Sequence, residues 1–243
     1  MKKILVISGL CALLAYLIFS AFYFKEKPKD TVCSHFEIVV ANSASNNMID
    51  LAEIEKMIDA KGLNPYGKPI KDVNTYEIEK VIVSNKMVKE ADVFVTNNSG
   101  IRVEISERKP VLRIINNNGD SYYIDKEGEK VPLSKLFVAD LPLATGNIKE
   151  SFAKTELRNF ALFLSKNTFW GDQIEQIVVL PNEDIKLIPR VGNHEILLGK
   201  LDNFEEKLDK LMIFYEKGLP QIGWNRYSLI NLKYDKQVVA TKR

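Results

Sequence analysis

The chain has 243 residues, with 34 Lys and Arg against 32 Asp and Glu and only two histidines. Setting aside Lys2 and Lys3 at the start leaves 32 basic residues against 32 acidic ones. So balanced a composition argues against nucleic acid as a partner, because that affinity comes mainly from a basic face that neutralises phosphates. With 46% apolar residues there is enough material for one large core or two smaller ones.

Ile4 to Phe24 is a run of 21 residues without a charge. As a helix rising ~1.5 Å per residue it spans roughly 30 Å, the thickness of a bilayer's hydrocarbon core. The run exceeds the h-region of ~7 to 15 residues found in a cleaved signal peptide, and no small-x-small pair closes it. It reads as an uncleaved transmembrane anchor. Lys2 and Lys3 face Lys25, Lys27 and Lys29 across it, so the positive-inside rule leaves orientation open. A cytoplasmic tail of residues 1–3 and an extracytoplasmic C-terminal region is the default, because long domains translocate largely regardless of charge. Cys11 within the run and Cys33 beyond it lie too far apart for an internal disulfide.

Residues 25–35 read as a linker, with Pro28 and alternating charge. Cys33-x-His35 lacks a second ligand cluster, so a metal site is not expected. From Phe36 the pattern is regular. A strand, FEIVVA, precedes Asp50-x-x-Glu53, a capping box ahead of Leu51, Ile54, Met57 and Ile58 at helical spacing. The helix should end at Gly62. Asn74 with Glu77 opens a second helix, with Ile78, Val81 and Ile82 on one face. Val88 to Thr96 and Ile101 to Glu107 read as two strands across an Asn97-Asn98-Ser99-Gly100 turn, with Ile101, Val103 and Ile105 alternating inward. The order β-α-α-β-β implies one sheet with both helices on one face.

Further on, Val111 to Ile115 and Tyr122 to Ile124 are strand-like. Asp125-Lys126-Glu127-Gly128 makes a turn before Val131, and the carboxylates Asp125, Glu127 and Glu129 read as a solvated loop. Leu157, Phe160, Ala161 and Leu164 mark a helix at i, i+3, i+4 and i+7. Strands follow at 173–180, 185–188 and 195–198, with His194 read as a turn residue. Asp202 with Glu205 forms a third capping box for a helix carrying Phe204, Leu208, Leu211, Met212 and Tyr215, which Gly218 and Pro220 should end. Two final strands, 228–234 and 237–241, flank a turn at Asp235-Lys236.

Val88-x-x-Ala91-x-Val93, Gly100, the alternating Ile101, Val103 and Ile105, and Glu107-Arg108-x-Pro110 resemble the end of a POTRA domain. With one membrane helix ahead, and a strand ending in Lys233-Tyr234 before a last strand, the chain resembles the FtsQ/DivIB family of bacterial cell division proteins. The fold class expected is therefore α+β: an N-terminal transmembrane helix, a POTRA-like domain over residues 36–109, and a mixed β-sheet domain with flanking helices over 110–243.

The resemblance implies a non-enzymatic single-pass scaffold of the cytoplasmic (inner) membrane, found at the division septum. Its partners would be bitopic coiled-coil proteins like FtsB and FtsL. The implied contact residues are Lys233 as a charge contact, Tyr234 as buried area, and Val238 and Val239 on an edge strand that accepts a partner strand. No cofactor, metal or small-molecule substrate is expected, since nucleophile elbows and phosphate-binding glycine motifs are absent from the sequence. Two other readings stand beside this one. A POTRA chaperone for envelope or secretion assembly would usually lead into a long β-barrel, and no such run of segments follows. An anchored envelope enzyme would have to rely on scattered carboxylates.

Overall fold

The computed structural model describes residues 13–20, 31–41, 48–235 and 237–243. Residues 13–20 of the apolar run are helical and mostly exposed. The rest of the expected anchor, tail and linker start lies outside the described residues. Among the described residues no helix is long and apolar enough to cross a membrane.

The first domain is the expected β-α-α-β-β unit. Its elements are β1 (His35–Val40), α1 (Leu51–Ala60), α2 (Thr75–Val83), β2 (Val88–Val95) and β3 (Gly100–Glu107). Strand order is β1-β3-β2, with β3 parallel to β1 and antiparallel to β2. Asp50 caps α1 by accepting from the Ala52 N–H at 3.0 Å, and Asn74 caps α2 through the Glu77 N–H at 3.1 Å. Ile54, Ile58, Ile78 and Ile82 meet Ile101, Val103 and Ile105 in one core, and all seven are fully buried. The domain begins before Phe36. Val32 bridges to Pro69, and Cys33 is buried in this core with its Sγ donating to the His35 carbonyl. The cysteine packs as a small apolar side chain.

The second domain is built on a nine-stranded mixed sheet in the order β12-β11-β10-β9-β8-β7-β4-β5-β6. Its strands are β4 (Pro110–Asn116), β5 (Ser121–Asp125), β6 (Lys130–Val131), β7 (Leu143–Gly146), β8 (Ile174–Val179), β9 (Ile185–Pro189), β10 (Glu195–Gly199), β11 (Tyr227–Asn231) and β12 (Val239–Lys242). Parallel pairs β4–β7, β7–β8 and β10–β11 are joined by crossovers, and hairpins supply the rest. Helix α3 begins at Glu150–Phe152, passes a π turn at Ala153–Leu157 and continues as Arg158–Lys166; α4 (Thr168–Gln173) follows. Helix α5 runs through Phe204–Ile213, a π turn at Phe214–Gly218 and Leu219–Ile222. Phe160, Leu164, Leu208, Leu211 and Tyr215 from these helices share a core with Leu112, Ile177, Leu187 and Ile196 of the sheet.

Four local expectations need correction. Asp202 does not cap α5: Asn203 precedes the helix in a left-handed conformation (φ 46°), and the Asp202 carboxylate instead accepts from Lys207 Nζ at 2.6 Å. Nor does α5 stop at Gly218 and Pro220. Proline there enters the first turn of the closing segment, where a missing N–H needs no acceptor, and the helix ends only at Gly223 (φ 100°). Asp125 is not in a solvated loop but fully buried. His194 does follow the bend at 191–193, as a turn residue would, but it is more than that, being 2% exposed with Nε2 2.7 Å from the Tyr215 hydroxyl.

That histidine sits in a ring cluster with Tyr215 and Trp224, at centroid distances of 5.5 and 6.4 Å. Its Nδ1 has no hydrogen-bond partner among the described residues. Burial first, and the Arg243 charge second, hold the imidazole below the ordinary histidine range. Because the unfolded histidine titrates at about 6.5, its stabilising contribution is full above that pH and shrinks as pH falls toward the lower folded value. Urea unfolding of the protein at pH 7.5 and 5.5 should show stability falling on acidification, and His194→Gln should flatten that fall. An unchanged slope in the variant would assign the pH dependence to other groups.

Candidate partner-binding edge

At one end of the large sheet, β12 pairs, among the described residues, with β11 on one side only. The pairing is antiparallel, with Ile230 opposite Ala240 and Asn231 opposite Val239. β11 is fixed first. It pairs in parallel with β10, and Ile230 and Leu232 are buried in the core. The chain then turns where Asn231 Oδ1 accepts from the Lys233 N–H at 3.0 Å, a side chain mimicking a backbone turn.

The sequence-derived site residues occupy different situations. Tyr234 is 50% exposed and Val239 39% exposed, both large side chains in solvent near the sheet edge. Val238 is half-buried against the main core. Lys233 is exposed but reaches a buried partner: its Nζ lies 2.8 Å from Asp184 Oδ2, and Asp184 is 4% exposed. The lysine's hydrogen bond, with Asn182 behind it, holds the Asp184 carboxyl below the usual range, and the carboxylate raises the lysine in turn. Tyr234, Val238 and Val239 thus lie along one edge, while the Lys233 charge is neutralised behind it.

Alongside the edge runs an open groove of about 380 Å³ lined by Ile213, Phe214, Lys217, Gln237 and Val238. Ile213 on its wall is exposed. The sequence did not mark Ile213, Phe214 or Asp184 as site residues, because each reaches this region from an element far away in the chain. No group of three or more His, Cys, Asp and Glu side chains able to hold a metal occurs among the described residues. What this geometry offers chemically is backbone donors and acceptors on the open side of an edge strand, flanked by apolar surface.

The edge of the first domain is different. Glu79 of α2 reaches over β2 and accepts from the Val93 N–H at 3.0 Å, occupying a donor that an open edge would present.

Between the domains, Met48, Tyr123 and Val131 form a small third core joined by Met87, Phe137 and Leu141. Arg108, just after β3, donates to Asp125 Oδ2 at 2.9 Å, and Ser134 Oγ donates to the Met48 carbonyl at 2.7 Å.

Compared with known proteins, residues 31–106 match the POTRA-like domain. No curated protein matches the chain. Residues 109–241, more than half of the sequence and nearly all of the nine-stranded sheet, match the family described as FtsQ/DivIB, C-terminal related, and the chain belongs to that family.

Proposed function

We propose that this protein is a non-enzymatic scaffold of the bacterial division machinery, anchored in the cytoplasmic membrane by Ile4 to Phe24 with both domains outside the cytoplasm. The observation that carries the reading is the open backbone of β12, the terminal strand of the sheet, with Tyr234 and Val239 exposed beside it. A partner segment adds to that edge as a further strand, and Tyr234 supplies buried aromatic area. The partners are bitopic coiled-coil proteins of the FtsB and FtsL kind. Confinement to one membrane raises their effective concentration, so an edge of modest intrinsic affinity is enough.

Co-purification of the full chain with those partners tests the site. Tyr234→Ala is expected to weaken binding by roughly 1 to 3 kcal/mol, the range for an aromatic anchor at an interface. Removing residues 236–243 should abolish it while the protein stays folded and in the membrane. Unaltered binding by both variants would exclude this edge. A fluorescent fusion that fails to concentrate at midcell would exclude the division role itself.

A further inference from the structure

The connection between β11 and β12 is gripped from two sides. A polar cleft of about 390 Å³ beside it is lined by Lys200, Lys207, Lys210 and Lys233 together with the acids Asp202, Glu206 and Asp235. Four lysines around one cleft would suit an anion, but each ammonium already has a partner within the fold. Lys200 donates to the Asn182 carbonyl, and Lys207 to the Lys200 carbonyl and Asp202. The other two reach the connection itself. Lys210 of α5 donates to the carbonyl oxygens of Tyr234 and Asp235, at 3.1 and 2.8 Å. Lys233 crosses to Asp184 in the turn between β8 and β9.

The second grip is built into the backbone. The stem of Lys233 lies across Gly199, which has φ +80°, and a Cβ there would come within 2.8 Å of Lys233 Cγ. Only glycine leaves that channel open. Asp184 is pre-set for the pair, because Asn182 donates to the same carboxylate oxygen at 3.0 Å and its Oδ1 accepts from the Asp184 N–H. Tyr234 therefore sits between two fixed points: its own carbonyl is held to α5, and the preceding side chain is held to the far turn.

We infer that Asp184, Lys210 and Lys233 are positioning residues that latch the β11–β12 connection, so that Tyr234 meets a partner already in its bound pose. The role follows from the cost of ordering a loop on association, which a latched loop has met during folding. It rests on the proposed partner edge, and it changes the part played by Lys233, whose charge serves the latch rather than a partner carboxylate. The Lys233 hydrogen bond holds the Asp184 carboxyl below the ordinary carboxylate range, so this arm of the latch is an ion pair at neutral pH.

Two measurements on the full chain in detergent test it. In the protein alone, hydrogen exchange of the bonded amides of Leu232 and Lys233 should speed up at least about tenfold in Asp184→Asn and in Lys210→Met, while Lys233→Arg, which still reaches Asp184, keeps protection. In titrations with FtsB- and FtsL-like partners, the first two variants should bind about tenfold more weakly, and Asp184→Asn should have no further effect once Tyr234→Ala is present. Unchanged exchange in both variants overturns the latch. Faster exchange with full affinity, or additive losses in the double variant, overturns its role in positioning Tyr234. If Tyr234→Ala alone leaves affinity intact, the positioning role falls; if removal of residues 236–243 does so as well, the partner edge is wrong, and exchange then decides the latch by itself.

Discussion

Asp125→Ala should lower the unfolding free energy by about 3 kcal/mol, a large effect for a turn residue that the sequence places in a loop. Asp125 is fully buried and its two oxygens serve three donors. Oδ1 accepts from the backbone N–H groups of Glu127 and Glu129 at 3.0 and 2.6 Å, and Oδ2 accepts from Arg108 Nη1 at 2.9 Å. Alanine leaves two turn amides and a guanidinium without their acceptor. Since the Arg108 side chain is 22% exposed, water recovers part of that loss, which places the effect at the lower end for broken buried pairs. Asp125→Asn keeps an acceptor for the turn and should cost about half as much.

The site of the damage matters as much as its size. Arg108 closes the first domain and Asp125 opens the turn of the second, beside the small core of Met48, Tyr123 and Val131. Lys89 adds a 3.3 Å contact to Glu127 across the same junction. Urea unfolding followed by far-UV circular dichroism, alongside the fluorescence of Trp170 and Trp224 in the second domain, should therefore lose cooperativity in Asp125→Ala, with the two domains melting apart. A single transition of unchanged midpoint would show that the third core joins the domains without this ion pair.

Where the fold was legible in the sequence, the signal was periodic and local. Ile101, Val103 and Ile105 alternate, Leu157, Phe160, Ala161 and Leu164 repeat at helical spacing, and Asn74 announces a helix within three residues. Those patterns depend on one element at a time. What stayed hidden depends on two. Asp125 looks like any turn acid until Arg108 arrives from the other domain. His194 looks like a loop residue until Tyr215 comes down on α5. β7 is only four residues long, and it exists because β4 and β8 flank it on both sides. Asp202 carries the right spacing for a cap, but Asn203 turns left-handed and Lys207 takes the carboxylate. At the candidate edge the likeness to the family picked out Tyr234 and the last strand, while the partners that hold them, Asp184 and Lys210, lie 49 and 24 residues away from their contacts.

Strand addition at β12 can be separated from side-chain contact by a single proline. The Arg243 N–H donates to the Arg226 carbonyl at 3.2 Å, so that amide faces β11. Alternation along an extended strand then turns the amides of 239 and 241 toward β11 as well, and those of Ala240 and Lys242 toward the open edge. Ala240→Pro removes an outward donor and sets a ring where a partner carbonyl would approach, yet leaves the β11 ladder its own donors. Proline is tolerated on edge strands for this reason. Affinity for the FtsB- and FtsL-like partners should fall at least about 100-fold, the effect of a lost backbone bond together with an obstructed edge. The melting temperature should barely move. Ala240→Val, which keeps the donor and favours the extended chain, should bind normally. Full affinity in Ala240→Pro combined with a loss in Tyr234→Ala would mean that the partner docks on side chains alone, across the groove of Ile213 and Phe214, without extending the sheet.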